Sequence, residues 1–155
     1  MPDRRNEIEL NSAEVAEFIQ QTQTIIVVTN GPDGFPHPMP MWFYADSSHV
    51  CYCTTFRKSQ KVVNLRRDRR ATLLLETGQD YSKLKGLVIK STAEIIDSYD
   101  VVVDTMRAIR QRKPPLGFTE SLEATLIRSA PKRVVLKFVP NIFISWDHRK
   151  LGNIS

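Results

Sequence analysis

The sequence predicts a mainly β domain of the α+β type: six to seven short antiparallel strands closing into a small barrel, with short helices between some of them. Three observations carry this. Runs rich in β-branched and aromatic residues recur along the chain between dense turn signals such as Asn30-Gly31-Pro32-Asp33-Gly34. The first three runs are joined by turns too short for a crossover helix, so neighbours are expected to be antiparallel. No glycine-rich strand-to-helix phosphate loop occurs, so a doubly wound nucleotide-binding sheet has no support.

In chain order, a helix is expected over 12–22. Asn11 and Glu14 have capping-box spacing, Leu10 and Val15 that of a hydrophobic staple, and Val15, Phe18 and Ile19 make an apolar stripe. Residues 24–29 are all β-branched and read as a core strand. The strand expected over 36–44 begins with alternating Pro36, Pro38 and Pro40. Proline cannot donate to a ladder, so that side of the strand must face an edge or a ligand cleft. Asp46-Ser47-Ser48 turns the chain into a third strand, 49–54, completing a meander. A helix follows over 58–67, with Val62, Val63 and Leu65 inward, then strands over 71–76 and 86–96 around a polar loop. Val102, Val103, Met106 and Ile109 line a helix over 99–112 that Pro114-Pro115 stops. A short helix over 120–129, with Thr119 as N-cap, precedes two last strands, 133–139 and 142–146, around Pro140.

A chain of 155 residues with 41% hydrophobic and 25% charged residues fits one soluble globule, expected over 8–150 with flexible termini at 1–7 and 151–155. No apolar run approaches the roughly 20 residues of a membrane span. Met1-Pro2-Asp3-Arg4-Arg5 leads into polar sequence, so a cytoplasmic protein without membrane partners is expected. Cys51 and Cys53 would share one face of a strand, about 6.5 to 7 Å apart at Cα, the edge of disulfide reach. With three histidines in the chain, a metal site on this pair is poorly supported, and reduced packing cysteines are expected.

Charge is concentrated. Between 57 and 70 stand seven basic residues and one acid, a segment of +6 in a chain of +5. A smaller cluster is Arg107, Arg110, Arg112 and Lys113. Such local potential suggests an anionic partner. Nucleic acid is not the expected one, because no recognition module and no dense alternation of aromatic with basic residues is present.

Groups for protein-borne catalysis are sparse. His37, His49 and His148 lie in no nucleophile motif, and neither a Gly-x-Ser-x-Gly elbow nor paired carboxylates occur. No catalytic or metal-binding residue is therefore assigned. A cofactor enzyme fits better, since there the protein mainly binds and orients. The most informative stretch is Thr54-Thr55-Phe56-Arg57-Lys58-Ser59-Gln60-Lys61. Two hydroxyls end a strand and a cationic helix begins, a junction able to clamp phosphate; a solvated helix face is the plainer alternative.

Four segments in order resemble the pyridoxamine 5'-phosphate oxidase-like split β-barrel family, in its flavin/deazaflavin oxidoreductase branch. They are residues 34–43 (GFPHPMPMWF), 61–70 (KVVNLRRDRR, with Arg69 where the family usually has proline), 81–86 (YSKLKG) with the strand through Ala93-Glu94, and 145–151 (SWDHRKL). The resemblance implies an FMN-binding-like split barrel and a homodimer with the cofactor in a groove between subunits. It implies Lys61, Arg57 and Lys58 as phosphate ligands, with Thr54 and Thr55 on phosphate or ribityl oxygens. His37, Met39 and Met41 would line the ring, and Trp146 and Lys150 of the partner would close the site.

The implied function is hydride transfer between reduced coenzyme F420 and a planar conjugated small molecule. FMN is the alternative cofactor, and a non-catalytic flavin or haem carrier is a further alternative. Arg66, Arg67 and the cluster from Arg107 to Lys113 could flank the groove and favour the polyglutamate tail of F420. The full vitamin B6 oxidase signature is not apparent.

Overall fold

The structure, a computed structural model, describes residues 4–112, 123–124 and 127–152. Seven strands make one antiparallel sheet. They are β1 (Thr24–Asn30), β2 (Pro36–Trp42), β3 (Tyr44–Ala45), β4 (Cys51–Phe56), β5 (Arg70–Thr77), β6 (Lys85–Ile96) and β7 (Arg133–Asp147), in the order β2-β1-β5-β6-β7-β4-β3. The helices are α1 (Arg5–Ile8), α2 (Ser12–Gln21), α3 (Gln60–Arg67) and α4 (Tyr99–Arg112). Among the described residues no helix is long and apolar enough to cross a membrane.

The two edge strands, β2 and β3, are separated only by Phe43. Edges that lie next to each other in the chain must lie next to each other in space, so the sheet curls into a split barrel. The expected three-strand meander is therefore corrected. β1–β2 and β3–β4 are hairpins, but β4 pairs with β7 and not with β2. The prolines give the reason. Their missing N–H groups all point to the outer side of β2, which leaves no ladder for another strand. Between them, His37, Met39 and Met41 pair with Thr29, Val27 and Ile25 of β1.

The interior follows the strand alternation. Ile25, Val27, Cys51, Cys53, Leu73, Leu75, Leu87, Ile89, Leu136 and Phe138 are all buried, and α2 caps them with Val15, Phe18 and Ile19. The capping box of α2 forms as expected: Glu14 N–H donates to Asn11 Oδ1 and Asn11 N–H to Glu14 Oε1, both at 2.9 Å. A second core lies outside the sheet, where Val102, Val103 and Met106 of α4 pack on Val135.

Some boundaries differ from expectation. Residues 133–147 form one strand across Pro140, with a register irregularity opposite Lys90 and Ser91. Pro140 lies just past Phe138, where pairing with β4 ends, and is opposite only Ser91 of β6, at the irregularity. Val63 is exposed, whereas Val62 and Leu65 point inward. Ahead of α2, Arg5–Ile8 make one helical turn with no buried residue. Thr119, Pro114-Pro115 and half of the 120–129 helix lie outside the described residues.

Candidate anion site at the β4–α3 junction

β4 presents Cys51, Cys53 and Thr55 to the interior and Tyr52, Thr54 and Phe56 outward. The chain then turns into α3, whose Ser59 N-cap makes no side-chain cap bond; Thr55 Oγ1 donates to Ser59 Oγ at 3.3 Å instead. α3 lays Asn64 into the barrel end, where its Nδ2 donates to Thr29 Oγ1 (3.0 Å) and its Oδ1 accepts from Gln60 (2.8 Å). These buried polar groups satisfy one another, as an apolar interior requires.

Lys61 lies next to them with its stem buried and its ammonium at the edge of solvent. The expectation was a solvent-facing side chain. It is instead only 7% exposed, and among the described residues it has no hydrogen-bond or ion-pair partner. Burial pushes its pKa down, the Cys53 thiol partly offsets that, and the Arg133 guanidinium lowers it further. Arg133 is half-buried and also depressed by burial. Two partly desolvated cations within electrostatic range, neither paired with a carboxylate among the described residues, favour an incoming anion. Two free N–H groups of the α3 N-terminus add to the same potential.

The other expected site residues are distributed as follows. Lys58 is exposed beside Lys61. Arg57 is engaged by Asp97 (Nη2 to Oδ1, 2.8 Å) and donates to the Pro131 carbonyl at 3.2 Å. His37 and Met39 lie on the inward face of β2, and Met41 packs on the core. Met41 and Thr54 both line a cavity of ≈ 200 Å³ with Trp42, Met106, Ile109, Arg110 and Arg133. Trp146 and Lys150 of the same chain sit apart from this group. Trp146 lies over Gly86, where an added Cβ would come within 2.0 Å of the indole. Lys150 Nζ binds Glu14 Oε1 (2.6 Å) and the Glu9 carbonyl (2.7 Å).

The second cationic cluster, expected to be able to flank the groove, is engaged within the chain at Arg110 and Arg112. Arg110 donates to Glu123 at 2.7 Å. Arg112 stacks on the Phe43 ring at 4.3 Å and donates to the Phe43 and Ile19 carbonyls. Lys113 lies outside the described residues. Sequence reading missed Arg133, whose partner Phe56 is brought opposite it by the β4–β7 ladder. The thiols are free and buried as expected, and burial pushes Cys51 up to about 12 and Cys53 higher. Among the described residues no cluster of His, Cys, Asp and Glu is placed to hold a metal.

Comparison with solved structures finds a conserved hypothetical protein of Mycobacterium tuberculosis at 34% identity, covering 99% of this chain and 95% of that one, with a TM-score of 0.86. The fold is shared with an F420 reductase (19% identity, TM-score 0.62, 82% and 93% covered). It is shared too with the haem storage protein HutZ of Vibrio cholerae (13% identity, TM-score 0.64, 86% and 94% covered). No curated protein matches the sequence. The family model described as pyridoxamine 5'-phosphate oxidase matches residues 12–141. The chain belongs to the pyridoxamine 5'-phosphate oxidase family, a flavin-oxidoreductase-like kind of split barrel.

Proposed function

We propose that the protein is a cytoplasmic homodimeric oxidoreductase that binds reduced coenzyme F420, with FMN as the alternative, and reduces a planar conjugated small molecule. The observation that carries this reading is the buried Lys61 without a counter-ion. A partly desolvated ammonium is costly unless a ligand supplies the anion, and the phosphate shared by both cofactors does so. Thr54, Thr55 and Lys58 flank it, and Arg57 is held nearby by Asp97. His37, Met39 and Met41 offer the ring a wall along β2. Trp146 and Lys150 of a second copy would close the groove.

When bound, the cofactor supplies hydride to the conjugated acceptor, and solvent supplies the proton that completes the two-electron reduction. The chain's own residues bind, orient and exclude water.

A second copy has a surface to occupy. On the outer face, Pro40, Ile26, Leu74, Val88 and Ile144 stand in one cross-strand row, and α4 covers only the far half of the sheet. Ile142 and Ile144 are 53% and 46% exposed. An apolar row of this extent on a small barrel suits a two-fold contact.

The test is titration of apoprotein with F420, FMN and riboflavin, followed by ring absorbance or fluorescence. Wild type should prefer FMN to phosphate-free riboflavin. Lys61→Ala should weaken the phosphorylated ligand about tenfold to a hundredfold and lose the preference. Equal binding by wild type and variant would remove the basis of the reading. The likeness to HutZ supports a haem-carrier reading, and haemin added to the same apoprotein should then give a Soret shift without turnover.

A further inference from the structure

We propose that the ≈ 200 Å³ cavity between α4 and the β2–β4 side of the barrel is a binding site for a small aromatic carboxylic acid. Its walls divide by chemistry. Met41, Trp42, Met106 and Ile109 supply apolar and aromatic surface, and Thr54, Arg110 and Arg133 supply the polar side. Among the described residues no acidic side chain lines it.

The two arginines are not equivalent. Arg110 is compensated by Glu123 at 2.7 Å. Arg133 lays one face on the Phe56 ring at 4.3 Å and uses Nε on Ser129 Oγ at 2.9 Å. Among the described residues no carboxylate pairs with it, so its terminal nitrogens keep their donors. A planar fork with a stacked face and unused donors matches a carboxylate. The Thr54 hydroxyl, on the same strand face as Phe56, is a third donor. The volume limits the body to about one ring, below the roughly 300 Å³ of drug-sized pockets. Trp42 and the two methionine thioethers then pack on that ring.

The acid is read as a ligand and not as the hydride acceptor, and its binding is measured on protein without cofactor, because Met41 and Thr54 belong to both sites.

The experiment uses the full chain without added cofactor and 4-fluorobenzoate as probe, read by ¹⁹F NMR, with 4-fluorobenzyl alcohol as the neutral control. Wild type should bind the acid saturably and the alcohol far more weakly. Arg133→Gln should weaken the acid about tenfold to a hundredfold. Ile109→Trp, which fills the cavity and leaves Arg133 in place, should abolish binding while circular dichroism stays unchanged. Lys61→Ala should bind the acid like wild type, so a failed cofactor titration and a failed acid titration are separate results. Absence of saturable binding overturns the proposal, as does undiminished binding by a folded Ile109→Trp. Competitive displacement by FMN together with loss in Lys61→Ala also overturns it, because the cavity would then be the cofactor's own.

Discussion

Trp42 ends one edge strand of the sheet and Tyr44 begins the other, so Phe43 alone closes the barrel. Phe43 is 1% exposed, and Arg112 both covers its ring and donates from Nη1 to its carbonyl at 3.1 Å. Side chain and backbone of the closing residue are thus held by one arginine from the last turn of α4.

Phe43→Ala should cost about 3 to 5 kcal/mol, the range for deleting a buried phenyl ring. Urea unfolding checks it. A loss below about 1 kcal/mol would show that closure depends on the sheet ladders and not on this ring.

Lys61→Met should stabilise the ligand-free protein while removing its affinity for phosphate. The pKa of Lys61 lies below its ordinary 10.5 in the folded protein, so between those two values the unfolded chain holds more protons. Wild-type stability should therefore rise with pH through that window, and the buried charge is a cost below it. The variant should be more stable by about 1 kcal/mol at neutral pH. Its advantage should shrink as pH rises toward 10.5, measured by thermal melts at neutral pH and near 10.5. An advantage independent of pH would mean that shape, not charge, is responsible.

Cys51 and Cys53 should resist alkylation in the folded protein and react fully once it is unfolded without reductant. Burial raises both thiols, Cys51 to about 12, so the nucleophilic thiolate is scarce and inaccessible. Mass spectrometry after iodoacetamide gives the count. A stoichiometric internal disulfide in fresh protein would contradict it.

Sedimentation at micromolar concentration should give twice 17.8 kDa. Ile144→Glu, at the exposed β7 end of the row, should give monomer with unchanged secondary structure, since a buried unpaired carboxylate opposes the contact. A wild-type monomer would leave the apolar row without its second copy.

What was legible in the sequence was local. Asn11 and Glu14 announce α2, and the β-branched run after Gln23 announces β1, because cap and strand preferences act within a few residues. The break at Phe43 was not legible: Met41–Tyr44 contains no turn residue, and only the packing of Phe43 interrupts the strand. Nor was the burial of Lys61, since a lysine four residues into a cationic segment looks like a solvated one. The Lys61–Arg133 relation depends on strands distant in sequence, so no window of sequence contains it. The membership of Thr54 and Met41 in one cavity is hidden for the same reason.

The ladder between β4 and β7 joins Cys51 to Phe138 and Phe56 to Arg133. Its two halves are made far apart in time as the chain is synthesised. β1–β2 and β3–β4 can zip as soon as their turns emerge, and β5–β6 soon after, because their loop-closure costs are small. β4 has no second partner until β7 leaves the ribosome, so the two thiols stay uncovered through most of translation. A nascent chain stalled before residue 133 would present that strand, with Cys51 and Cys53, to chaperones or to a neighbouring nascent chain. The completed barrel hides both sulfurs only in its last assembly step.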